Sequence, residues 1–185
     1  QLTIVPGTVI KFPWAASLDV DGALDAIGTL TQPIIFTTIN DDSAGGDANG
    51  DGTSSTPVPG SWDAIWIDSS LVALQNVEVR FAGNRSSPGY DYYRTSAVQV
   101  REGASPTLKD ILIRNAENQG LYLASGSPRL ENVRIVNSGA EAIYQEIAAT
   151  PVYINVTAQG NAADRVTLAG GTISDTRMWD FSGIP

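Results

Sequence analysis

The stretch "SPTLKDILIRN", Ser105–Asn115, returns further on as "SPRLENVRIVN", Ser127–Asn137. A third copy, "TPVYINVTAQG", begins at Thr150. Each copy carries a proline in its second position, Pro106, Pro128 and Pro151. Four residues after each comes Asp110, Asn132 or Asn155, and then a β-branched residue, Ile111, Val133 or Val156. Self-similarity at a fixed period, here about 22 residues, is the signature of a stacked-repeat architecture.

A second column keeps step with the first. Val98, Leu121, Ile143 and Val166 follow one another at the same interval. The first half continues both columns less evenly. Val9, Ile34, Val77, Ile111, Val133, Val156 and Met178 mark the first column along the whole chain. From Ile111 onward its anchors are one repeat apart, and Val9 to Ile34 is only slightly longer. The gap from Ile34 to Val77 exceeds one repeat by roughly twenty residues, and that from Val77 to Ile111 by roughly eleven. Each unit holds strands of three to six residues with alternating apolar character, separated by Gly, Pro, Ser or Asn. No segment carries a sustained helical period. Three short strands per repeat make one coil of a parallel β-solenoid, which becomes stable only when stacked on its neighbours. The alternative is a β-sandwich with irregular strands, but antiparallel hairpins have no need of equal spacing. The expectation is an all-β, right-handed parallel β-helix of about six coils, filling residues 1–185 as one domain.

Composition narrows the chemistry. Of the 185 residues, 42% are hydrophobic, enough for a core. Charged residues make up 17%, and the formal net charge is -9. That balance argues against nucleic acid and against anionic membrane surfaces. No apolar run is long enough to cross a bilayer, and no signal peptide is legible. The chain starts at Gln1, which reads as a mature chain or a piece of a longer one. There is no cysteine and no histidine. Thiol nucleophiles, disulfides, His-based triads and His-ligated zinc are therefore excluded.

The segments "LTIVPGTVIKF", "LDVDGALDAIGT", "QPIIFTT", "DDSAGGDANGDG" and "PGSWDAIWI", all within Leu2–Ile67, resemble the opening coils of right-handed parallel β-helix domains of the pectin-lyase-like superfamily. These domains belong to large bacterial secreted and surface proteins. The resemblance implies a fold and an extracellular setting. It implies no reaction, because the superfamily holds lyases, hydrolases, adhesins and inert spacers alike.

The two long gaps locate two insertions at one corner, residues 40–61 and 82–95. Insertions in solenoids project from one side, often the binding side. In the first, "DANGDG" matches the opening half of an EF-hand loop, with Asp47, Asn49 and Asp51 at alternate positions and Gly52 for the turn. The twelfth position is Val58 rather than a bidentate Glu, so this is not an EF-hand. A structural calcium ion is expected here, with Asp41, Asp42, backbone carbonyls, Asp63 or Asp91 completing the shell. The alternative is a solvated acidic loop.

The middle residues of the second column, Asp19, Trp66, Gln99, Tyr122, Tyr144 and Thr167, are expected to face outward. Trp66, Tyr122 and Tyr144 then form an exposed aromatic track, flanked by Tyr92 and Tyr93 of the second insertion. Such rings are platforms for sugars. Ordinary cross-strand stacking explains them equally well. The Asn76, Asp110, Asn132 and Asn155 column reads as a structural ladder at a bend. Gln145 falls where an inward apolar residue is expected.

No column carries facing paired carboxylates. The expectation is a non-catalytic extracellular module, binding carbohydrate or another surface protein and joined to neighbouring domains of a larger chain. A β-helix polysaccharide lyase or glycoside hydrolase and a purely structural rigid spacer are the alternatives. At the far end, Met178, Trp179 and Phe181 are expected to cover the last coil.

Overall fold

The computed structural model describes residues 1–84, 95–181, 183 and 184. Among them there is no helix. In chain order the strands are β1 (Leu2–Ile4), β2 (Val9–Phe12), β3 (Leu18–Val20), β4 (Leu24–Ile27), β5 (Ile34–Thr38), β6 (Ile65–Ile67), β7 (Val72–Arg80), β8 (Val98–Val100), β9 (Thr107–Arg114), β10 (Leu121–Leu123), β11 (Arg129–Val136), β12 (Glu141–Gln145), β13 (Val152–Ile154), β14 (Thr157–Gln159) and β15 (Ala163–Leu168). They form two sheets. The larger runs β1-β4-β7-β9-β11-β13, with β5 on β7, β2 on β5 and β14 on β11; the smaller runs β3-β6-β8-β10-β12-β15. Every pairing between these strands is parallel.

The register of the smaller sheet follows the sequence columns. Leu18, Ile65, Val98, Leu121, Ile143 and Val166 lie side by side. All but Leu18 and Val166 are buried, and those two pack against the core. One continuous apolar cluster takes side chains from both sheets. Period-2 alternation puts these residues on one face, and burying that face is the main stabilising term.

The long strands of the larger sheet bend in the middle. Asn76, Asp110, Asn132 and Asn155 each adopt a left-handed backbone, with φ between 49° and 54°. The Asn132 amide donates to Asp110 Oδ1 at 2.7 Å, and the Asn155 amide donates to Asn132 Oδ1 at 2.9 Å. Asn76 donates to the Gly28 carbonyl at 3.2 Å. Asn and Asp are the non-glycine residues that enter this conformation most readily. A second bend closes each long strand. Phe81, Asn115, Asn137 and Gly160 occupy it, with φ of 58°, 56°, 56° and 70°. At Gly160 a Cβ would stand 2.7 Å from Asn137 Oδ1, the movable end of a side chain, so glycine spares that side chain a shift.

The expectations at Val9 and Met178 need correction. Val9 is not the anchor of its strand: it pairs with Ile35, and Ile10 and Phe12 are the residues level with Phe36 and Thr38. The apolar alternation of "VIKF" admits either face, and packing against Phe36 selects Ile10. Met178 neither continues the column nor covers the last coil. It lies outside any strand and is 88% exposed. The register that carries Val133 beside Val156 has no further strand to continue it after β15. Only Phe181 and Trp179 of that terminal segment make aromatic contacts, Phe181 against Tyr153 at 5.4 Å and Trp179 against Phe181 at 6.1 Å.

Gln145 now has an account. It is fully buried, its Nε2 donates to the Ala149 carbonyl at 3.1 Å, and its Oε1 accepts from Tyr153 OH at 2.7 Å. Both ends of a buried amide are thus paired, as burial requires. Tyr153→Phe leaves the Gln145 carbonyl oxygen without its partner and is expected to cost about 1–3 kcal/mol by urea denaturation. Adding Gln145→Leu should recover most of that loss; a double variant weaker than Tyr153→Phe alone would refute this account.

Candidate metal centre and aromatic column

Both insertions leave the larger sheet and return to the smaller one, the first between β5 and β6, the second between β7 and β8. Their bases are joined. Ser61 N–H donates to the Phe81 carbonyl at 3.0 Å, Gly83 N–H to the Asp63 carbonyl at 2.6 Å and Asn84 N–H to the Trp62 carbonyl at 3.3 Å. Trp62 anchors the end of the acidic loop. It is fully buried, stacks on Phe12 at 4.3 Å and donates Nε1–H to the Arg80 carbonyl at 2.7 Å.

The acidic loop is organised by Asp47. Its Oδ1 accepts from Gly50 N–H at 2.7 Å and Asp51 N–H at 3.2 Å, and its Oδ2 accepts from Gly52 N–H at 2.9 Å. Gly50 and Gly52 both have positive φ, which aims these amides at one carboxylate. The Gly52, Gly50 and Asp51 amides together hold the Asp47 carboxyl below the usual range. Lys11, the one Lys or Arg before Arg80 against ten Asp and Glu, donates Nζ to the Gly46 carbonyl.

Asp42, Asp47 and Asp51 each bring a carboxylate oxygen within 4.8 Å of the other two. Oxygens on opposite sides of a calcium ion, bonded at about 2.3–2.6 Å, are about 5 Å apart, so the spacing fits one ion. Asp42 Oδ1 and Asp51 Oδ1 are also buried, and no hydrogen bond reaches either. A carboxylate oxygen shut from water without a donor is unfavourable, and a cation in the cluster would satisfy it.

Two candidate ligands have other work. Asp41 is 1% exposed and accepts from Thr37 Oγ1 at 2.7 Å, Ser43 N–H at 3.2 Å and Arg80 Nη1 at 3.2 Å. Burial pushes its carboxyl up, but the hydrogen bonds from Ser43, Thr37 and Arg80 outweigh it and hold the group low. Arg80 also pairs with Glu78 at 2.8 Å, and Glu78 with Arg114. Asp41 therefore belongs to an ion-pair chain on the larger sheet, not to the cluster. Asn49 is a brace. Its Nδ2 donates to Asp51 Oδ2 at 2.9 Å and Ser55 Oγ at 3.0 Å, and its Oδ1 accepts from Asp51 N–H at 3.3 Å. Asp63 is not part of the cluster, and Asp91 lies outside the described residues.

In the smaller sheet, Asp19, Trp66, Gln99, Tyr122, Tyr144 and Thr167 do form one register column. Asp19 is exposed and Trp66, Tyr144 and Thr167 are half-buried, but the expected exposure fails at the middle of the column. Gln99 is 1% exposed and Tyr122 5%. Tyr122 and Tyr144 lean on each other at 6.1 Å, and Tyr122 OH donates to Glu146 Oε1 at 3.1 Å. Arg101 lies 4.9 Å over Trp66, held by Asp68 through bonds of 2.8 and 2.6 Å. Facing away from the core is thus not the same as facing water. Tyr92 and Tyr93 lie outside the described residues.

No protein-family model matches the chain, and neither a curated protein nor a solved structure is detectably similar to it. Function must be argued from the loop and the columns themselves. The sequence reading missed Arg80 as the partner of Asp41 and Phe81 as a bend residue. The second was within reach, because Phe81 takes the place that Asn115 and Asn137 hold in the repeats.

Proposed function

We propose that the chain is a right-handed parallel β-helix of about six coils, similar to the pectin-lyase-like superfamily, serving as a non-catalytic extracellular module whose acidic loop is held by structural calcium. The observation that carries this reading is the convergence of Asp42, Asp47 and Asp51, two of them with a buried oxygen that nothing donates to. Calcium is favoured over magnesium, because an irregular loop supplies oxygens without octahedral order. A loop fixed in this way presents a rigid surface for carbohydrate or for another surface protein, beside neighbouring domains of a longer chain. The burial of Gln99 and Tyr122 favours a second reading, in which the column only stiffens the stack and the module is a rigid spacer.

Calcium at a hundredfold excess over its dissociation constant should stabilise the fold by about 2.7 kcal/mol, a rise in Tm of about 5–10 °C. Asp51→Asn should remove most of that rise, and chelation should loosen the loop to proteases while leaving the sheets intact. A Tm indifferent to calcium, with no heat in calorimetry, would sink the metal. Turnover of pectate or alginate by the purified chain would sink the non-catalytic reading.

A further inference from the structure

The bend that Asn115 and Asn137 occupy in their turns is taken by Phe81 one turn earlier, with Arg80 paired to Arg114 fixing the register. A left-handed backbone is ordinary for Asn and an outlier for a bulky aromatic. Strain of this kind persists where something gains from it. The Phe81 ring is buried yet stands outside the continuous core. It instead walls an open cavity of about 260 Å³ beneath the acidic loop, with Pro57 also lining it. The polar side of that cavity includes Asp42, Thr53 and Thr56. Of these, Asp42 is committed to the carboxylate cluster, which leaves the two threonines to face a ligand. Asp41 and Ser43, which also line the cavity, are already paired with each other and with Arg80.

We propose that this cavity binds a single neutral sugar ring, its C–H face against Phe81 and Pro57 and its hydroxyls on Thr53 and Thr56. Hydroxyls that both donate and accept suit a ligand edged with hydroxyls. The aromatic wall suits the apolar face of the same ring. The volume lies just below the range of about 300–1,000 Å³ typical of larger ligands, which limits the site to one ring. This inference rests on the reading of the chain as a binding module, and not on the metal.

The test titrates glucose, galactose, mannose and N-acetylglucosamine separately, in calcium-containing buffer, by saturation-transfer NMR. At least one should bind the native chain. Phe81→Asn should weaken it by about tenfold or more, the loss expected from one stacking contact. That variant keeps the bend, which Asn holds in the next two turns, but gives up a buried ring and should melt several degrees lower, so its binding is read well below its own Tm. The Thr53→Val, Thr56→Val pair, on exposed positions, should weaken binding similarly and carries the test if Phe81→Asn does not fold. Trp66→Ala should leave binding unchanged. Binding lost only in Trp66→Ala, or untouched by both cavity variants, overturns this site while leaving sugar binding standing. Binding of lysine methyl ester with no response to any sugar overturns the choice of ligand. Silence from all probes overturns the proposal together with the carbohydrate reading, and leaves the spacer.

Discussion

Leu121→Asp is expected to leave no cooperatively folded protein. Leu121 is fully buried and stacked between Val98 and Ile143, which are themselves buried. The change removes a leucine's burial, about 2–5 kcal/mol, and brings in a carboxylate with no cation beside it. Domains of this size are stable by about 5–15 kcal/mol, so the sum takes most or all of it. The expected observations are loss of the sigmoidal urea transition and of dispersed amide signals. A variant that still melts cooperatively within a few degrees of the native chain would mean that this column is not core.

The next largest effect is expected at the first bend. Asn132 both donates to Asp110 and accepts from Asn155, from a backbone with φ of 54°. Asn132→Val deletes two exposed side-chain bonds and forces a β-branched residue into the left-handed region. The strain costs about 1–3 kcal/mol and the bonds about 0.5–1 kcal/mol each, so a total of about 3 kcal/mol is expected. Asn132→Gly loses the same bonds without the strain and should cost only about 1 kcal/mol. The gap between the two variants in chemical denaturation measures the strain. If both lose the same amount, the left-handed backbone is not what selects Asn at this rung.

These two predictions draw on the part of the molecule that was legible in the sequence. The Leu121 column is readable because its spacing is uniform and because strand alternation leaves one choice of face. Asn132 is readable because the proline and the β-branched residue frame it in three consecutive copies. The first half is less readable. "TVIKF" lacks that frame, which is how its inward residues come to be misassigned by one position. Side-chain partners are harder still. Asp41 and Asp42 are neighbours in an acidic run, and nothing local separates them. What separates them is Arg80, 39 residues on, reaching Asp41 across the sheet. The burial of Tyr122 escapes pattern reading for a similar reason: alternation says which way a side chain points, not what lies beyond it.

The order of strands has a mechanical meaning. Each inner strand of the smaller sheet pairs with the strand of that sheet before it and the one after it in sequence, so sequence order and sheet order coincide from β3 to β15. A load pulling its two ends apart acts along the inter-strand hydrogen bonds and opens them a rung at a time, as a zipper does, instead of shearing a whole strand at once. Extension then proceeds in steps of one repeat, each at low force, and each rung can re-form on the template left beside it.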